Sequence, residues 1–169
     1  MDGASSKPDL PAKTVDESSV IMSRQMMPDD ANPWGYVHGG TIMKMVDEAA
    51  GSAAIRHTRM RVSTAAVDYM SFLHPVHVGD LVTVKAAVND VGRTSMEVGV
   101  RVETENMLTG EVVHTSSCYL VMVALDDAGL PAPVPMVVAE SPEQRRRMES
   151  AKIRRKRRRQ LQHELQSTA

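Results

Sequence analysis

Cysteine is almost absent: Cys118 is the only one in 169 residues. This excludes an intrachain disulfide framework and a cysteine-ligated zinc site, and it suits a reducing compartment. Cys118 lies in an alternating apolar segment, where a small buried thiol is expected rather than a nucleophile. Rings are scarce too, with one Trp, one Phe and three Tyr, so no aromatic residue interleaves the arginines to stack on bases. No run approaches the roughly 18 apolar residues that cross a bilayer. The opening MDGASSKPDL has neither the basic start nor the hydrophobic stretch of a secretory signal. Cytoplasmic residence is the expectation.

Net charge is nearly absent as well, at −1, but this sum conceals a division. From Ser141 onward there are 10 Lys or Arg against 3 acids, whereas the first 140 residues carry 10 against 18. An acidic body with a basic appendage is the reading. The chain is expected to hold a leader over residues 1–18, one folded domain over 19–135 and a basic tail over 136–169.

What is abundant is small and flexible: the apolar residues are mostly Val, Ala and Met, with 13 Met, which suits close backbone approach and adaptable surfaces. Asn32 to Gly51 reads NPWGYVHGGTIMKMVDEAAG. A helix from about Gly39 to His57 puts Gly40, Met43, Asp47, Gly51 and Ala54 on one face, and Ile42, Met45, Val46, Ala49 and Ala53 on another. Both faces look buried, so Asp47 requires hydrogen bonds or a raised pKa to offset its lost hydration, and it is either a structural acid at a polar seam or cap or a catalytic one. The Gly-Gly pair admits another backbone closely, and its helix end favours negative charge. An oxyanion there lies roughly 10 Å from Asp47 along the axis, too far for one chain to serve both.

The remainder reads as sheet. Val20–Met27 is a first strand, and after the helix come Val62–Leu73, Leu81–Val88, Thr94–Thr104 and Val112–Leu125. Met96, Val98, Val100 and Val102 alternate with Glu97, Gly99, Arg101 and Glu103, giving one buried and one wet face. The expected fold is α+β, with an antiparallel sheet wrapped around one long central helix. A second copy, packed helix beside helix over Ala50, Gly51, Ala53 and Ala54, would bring Asp47 to the partner's loop and helix end.

Three pieces in order resemble the hot-dog-fold acyl-CoA thioesterases, in their acyl-CoA hydrolase branch. They are the N-x-x-G-x-x-x-G-G-x-x-x-x-x-x-D pattern over Asn32, Gly35, Gly39, Gly40 and Asp47, then RVSTAAVDYMSFLHPVHVGD from Arg61 to Asp80, then VGRTSM from Val91 to Met96. The resemblance spans about residues 20–135. It implies five strands around the helix, a homodimer with a shared sheet, and a hexamer as a trimer of dimers.

The resemblance also implies roles. Asp47 acts as general base or nucleophile, the partner's Asn32 orients water or substrate, and the Gly40 N–H donates to the thioester oxygen, with Gly39 beside it. His38 is a departure, since HGG is common in the phenylacetyl- and hydroxybenzoyl-CoA thioesterase relatives; it is either a polar contact to substrate or a residue that holds the loop. Arg93, Thr94 and Ser95 would meet the phosphates of coenzyme A, a forked cation beside two hydroxyls. Coenzyme A enters as part of the substrate, and neither a separate cofactor nor a metal is implied.

Residues 145–164 are expected to be a solvated, partly disordered basic tail or a positively charged helix, with contact to nucleic acid or anionic membrane as unsupported options. Removing residues 141–169 should then spare turnover. Two other functions suit the same fold: a hydratase or dehydratase, and a non-catalytic acyl-CoA sensor that uses the tail on nucleic acid.

Overall fold

The computed structural model describes residues 10–167. Regular structure begins earlier than the sequence suggests. Strand β1 (Lys13–Thr14) leads into α1 (Val15–Ser18), where Thr14 accepts from the Glu17 N–H and Glu17 accepts from the Thr14 N–H. Val15 is buried, and β1 pairs in parallel with β7 (Val137–Val138). The expected leader therefore extends too far, because an apolar residue and a capping box anchor its last part. Residues 1–9 lie outside the described residues.

The body follows as β2 (Val20–Gln25), a 3-10 turn (Pro28–Asp30), α2 (Gly39–Thr58), β3 (Arg61–Phe72), β4 (Leu81–Val91), β5 (Ser95–Glu105) and β6 (Val112–Leu125). The five strands from β2 to β6 form one antiparallel sheet in the order β2-β4-β5-β6-β3. Helix α2 lies in its concave side, which is the arrangement implied by the hot-dog resemblance. Alternation drives the packing. Val82, Val84, Ala86 and Val88 of β4, Met96, Val98, Val100 and Val102 of β5, and Cys118, Leu120, Met122 and Ala124 of β6 turn inward, all 4% exposed or less. At about 25 cal/mol per Å2, each fully buried Val or Leu contributes roughly 1.5–3 kcal/mol.

Only one face of α2 is covered within the chain. Ile42, Met45, Val46, Ala49, Ala50, Ala53 and Ala54 are buried, but Met43 and Ile55 are each 47% exposed and Asp47 is exposed with them. The chain leaves the Asp47 face open, on the side where a second copy is expected. One expectation is corrected: Ala50, Ala53 and Ala54 already pack against their own sheet instead of waiting for a second helix. Small side chains let α2 approach that sheet closely.

The basic tail is a packed helix, α3 (Pro142–Ser167), capped by Ser141, whose Oγ accepts from the Gln144 N–H. It crosses the outer side of the sheet, where Glu97 was expected to be wet and is 3% exposed. Arg154 Nη2 donates to Glu97 Oε1 at 2.7 Å, and its guanidinium sits 3.6 Å from the Tyr119 ring centre. Arg158 Nη1 donates to Asp68 Oδ2 on β3 at 2.5 Å, and Arg155 pairs with the buried Asp90. Burial raises the Asp90 carboxyl above the usual range even beside that cation. The tail is thus a packed, positively charged helix and not a disordered segment: Glu97 and Asp90, both buried, and the half-buried Asp68 engage these three arginines, while Arg146, Arg147, Arg157 and Arg159 stay exposed.

Candidate active site

The chain between β2 and α2 is tied down before the helix starts. Val37 N–H donates to Val76 O at 2.8 Å, the Tyr36 and His77 rings meet at 5.4 Å, and His38 N–H donates to Asp30 O at 2.7 Å. Within this loop, Asn32 Oδ1 accepts from the N–H groups of Trp34 and Tyr36 at 2.9 and 3.3 Å. Two amide donors aimed at one atom identify it as the oxygen. Asn32 therefore has its acceptor occupied and its Nδ2 hydrogens available, so toward a ligand it is a donor.

His38 is the N-cap of α2, and its Nδ1 accepts from the Gly40 N–H at 3.0 Å. The amide expected to face a thioester oxygen is therefore bonded to the neighbouring imidazole. Gly39 packs near the Phe72 ring; a Cβ built there would sit 3.7 Å from its Cζ. A cavity of about 340 Å3 opens beside this helix end, walled by Tyr36, Gly39, Ile42, Phe72, Leu73 and Val76. Its lining is mainly apolar, which suits an acyl or thioester chain.

Two turns further along α2, Asp47 Oδ1 accepts from Thr64 Oγ1 at 2.6 Å. Thr64 also lies 3.4 Å from Met122 Sδ. Val62 and Thr64 are in register with the inward-facing Ala124 and Met122, so regular alternation at the start of β3 turns the Thr64 hydroxyl toward the helix. The strand register shifts only after it, between Thr64 and Ala66 and again between Val67 and Tyr69. Thr64 is the residue that sequence reasoning missed. It stood within the matched segment after the helix, but Ser63 and Thr64 are adjacent hydroxyl residues, and residue type alone does not say which of the two faces the helix.

Within one chain these groups form two separate clusters. Gly40 and Asp47 are roughly 10 Å apart along α2. Thr64 and Phe72 are roughly 26 Å apart along β3. Strand β3 is the sheet edge, and Val67, Tyr69 and Phe72 on it are 50, 59 and 52% exposed. An unpaired edge carrying large apolar side chains is a surface for another strand.

Arg93, Thr94 and Ser95 make the turn from β4 to β5, where Gly92 N–H donates to Ser95 O at 2.7 Å. Ser95 is in register with Val123, which is in register with Ser63. The turn thus lies at the same end of the sheet as Thr64, about two strand spacings or roughly 10 Å away. The Arg93 side chain is exposed. Elsewhere, Cys118 is fully buried and its thiol is pushed up to about 11, so it is not a nucleophile. Among the described residues, no group of three or more His, Cys, Asp or Glu is placed to hold a metal ion, and no helix is long and apolar enough to cross a membrane.

The thioesterase superfamily profile matches residues 35–111. Protein VdlD of Helicobacter pylori is 36% identical over 143 residues, 85% of this chain and 82% of that protein. The uncharacterized acyl-CoA thioester hydrolase YkhA of Bacillus subtilis is 39% identical over 128 residues, 76% of this chain and 74% of that protein. An apo-hexameric acyl-CoA thioesterase superposes with a TM-score of 0.87 at 38% identity, covering 89% of this chain and 97% of the other. The acyl-CoA hydrolase of Staphylococcus aureus, solved with butyryl coenzyme A, coenzyme A and coenzyme A disulfide, superposes with a TM-score of 0.86 at 34% identity, over 94 and 96% of the two chains. Variants of that hydrolase in which one aspartate, one asparagine or one threonine is replaced by alanine superpose with TM-scores from 0.86 to 0.88. Identity at this level, extending over most of both chains and onto the same fold, is the mark of common descent: the chain belongs to the thioesterase superfamily.

Proposed function

We propose that this protein hydrolyses acyl-CoA to a free acid and coenzyme A, at a site shared by two copies of the chain. The observation that carries this reading is the Asp47 carboxylate, held at 2.6 Å by Thr64 on a helix face that the chain itself leaves open. The three residues replaced in the S. aureus hydrolase variants fall at the same intervals that separate Asn32, Asp47 and Thr64 here. This supports the same three residue types acting together, with Thr64 as the added member.

The β3 edges of two copies pair, so that Asp47 and Thr64 of one protomer face Asn32 and the α2 N-terminus of the other. Thr64 engages Oδ1 of Asp47 and leaves Oδ2 to act. By one route, Oδ2 takes a proton from water as its oxygen bonds to the thioester carbon. By the other, Oδ2 bonds to that carbon itself and water then cleaves the mixed anhydride. In both routes the carbonyl oxygen becomes an anion, the carbon–sulfur bond breaks and the thiolate of coenzyme A leaves to take up a proton. Asn32 Nδ2 donates to the water or the carbonyl, and the Gly40 N–H at the α2 end donates to the oxyanion, a bond worth about 3 kcal/mol in related chemistry. Arg93, Thr94 and Ser95 receive the phosphates of coenzyme A, and the cavity beside Gly39 takes the apolar chain. The dimer assembles further into a trimer of dimers, a reading supported by the hexameric state of the similar acyl-CoA thioesterase.

The test is thiol release from a panel of acyl-CoAs by the full chain and by Asp47→Ala. Release by the wild type and its loss in the variant is the expected result. Equal release by both would remove Asp47 from the mechanism, while binding without turnover would favour a sensor. Dehydration of a hydroxyacyl-CoA without thiol release would favour the dehydratase.

A further inference from the structure

The Gly40 amide has two claimants. The hydrolysis reading assigns it to the thioester oxygen, yet His38 Nδ1 already accepts its hydrogen at 3.0 Å. One N–H in a well-aligned bond does not serve both at full strength. The surroundings show which part can give way. The His38 backbone is held on both sides, its N–H donating to Asp30 O at 2.7 Å and its carbonyl accepting from Thr41 N–H at 2.9 Å. Its ring, in contrast, is exposed, with the Gly40 amide bond as its hydrogen bond and solvent to move into. A Cβ on Gly40 would stand 3.2 Å from Nδ1, so the glycine at this position is what lets an acceptor close on the amide, whether that acceptor is nitrogen or oxygen.

We propose that His38 is a displaceable cap: its ring holds the Gly40 amide while the site is empty and swings aside when the thioester oxygen takes that amide. This rests on the reading of Gly40 as an oxyanion donor. His38 then acts through Gly40 as a positioning residue. It keeps the first turn of α2 satisfied and the donor aimed, and the substrate oxygen must displace it. Capping interactions of this kind are modest, so displacement is possible at each turnover, at the cost of a several-fold weaker hold on substrate.

The test compares kcat, KM and melting temperature for the wild type, His38→Ala and His38→Asn, with Asp47→Ala alongside. Expected for His38→Ala is a lower melting temperature together with a kcat/KM raised roughly threefold to tenfold, since the competitor for the amide is gone. His38→Asn, which caps through its own side-chain oxygen, should keep both quantities near the wild type. A melting loss in His38→Ala without any rise in kcat/KM would reduce His38 to a structural cap and overturn the proposal. A hundredfold fall in kcat in both variants would overturn it as well, by showing that the ring touches the reaction. A wild-type structure with a ketone analogue of an acyl-CoA supplies a readout that needs no variant: the ring should have left Gly40 and the ketone oxygen replaced it, whereas a ring still in place would defeat the idea. Full activity of Asp47→Ala would instead indict the hydrolysis reading itself, so the two failures are distinguishable.

Discussion

The two sides of the sheet treat charge in opposite ways. On the outer side, α3 lays Arg154, Arg155 and Arg158 against Glu97, Asp90 and Asp68, each acid paired with a cation from the same chain. On the inner side, α2 leaves Asp47 with a hydroxyl for a partner and Met43 and Ile55 without cover. The outer side is covered by the chain itself, while the Asp47 face of α2 is not. The proposed shared site uses that open carboxylate and the uncovered sheet edge, so the contrast separates stability from the proposed chemistry.

The sharpest way to break this contrast is Asp47→Ala, expected to lower kcat about 1,000-fold, roughly 4 kcal/mol of barrier, with little change in melting temperature. Thermal unfolding beside thiol-release kinetics checks it. On the outer side the effects reverse. Arg154→Ala leaves Glu97 buried without its main partner and should cost about 3 kcal/mol of stability in urea unfolding, with kcat of the folded fraction retained. Removing all of α3 takes away the pairs to Glu97, Asp90 and Asp68 together with the cover over them, so truncation at 141 should lower stability, while the expectation that it spares turnover is checked by thiol release from the folded fraction.

Charging the β3 edge by Val67→Asp should lower activity about 100-fold while sedimentation shows smaller species, because the site as proposed draws on both protomers. If the variant stays assembled and active, the β3 edge is not the shared surface. Thr64→Ala should cost about 10-fold in kcat, by releasing Asp47 without removing it. The smallest effect concerns His57, buried where α2 ends, with Nε2 donating to Pro135 O and Nδ1 unpartnered. Burial lowers its folded-state value below 6.5, so the unfolded chain binds the proton more readily. Its contribution to stability is therefore complete above pH 6.5 and lost as pH falls below it, and His57→Gln should flatten that part of a stability profile.

Much of the architecture was legible because period and punctuation agree. The expected strand Val112–Leu125 and the helix opening at Gly39 coincide with β6 and α2, as alternation and a Gly-Gly start are local properties. Asp47 and the glycine pair stood out by residue type and spacing, whereas the roles of Asn32 and Gly40 came from the resemblance to the hot-dog thioesterases. Glu97 did not stand out. Its alternation says solvent, and only the placement of α3 makes it buried, an interaction between residues 57 positions apart in the case of Arg154. Thr64 stayed hidden because Ser63 and Thr64 are adjacent hydroxyl residues, and only the pairing of Thr64 with the inward-facing Met122 turns its hydroxyl toward Asp47.

Residue order alone determined the sheet-around-helix plan, the family, and the identity of an acid seven residues beyond a glycine pair. Hydrophobic period and helix capping are read from neighbours in sequence, so no distant contact is needed for them. Tertiary structure decided the rest: which side of the sheet α3 covers, that Thr64 holds Asp47, that His38 occupies the Gly40 amide, and that one face of α2 stays open. Each of these depends on where a side chain ends up in space, and that is determined by packing between segments far apart along the chain.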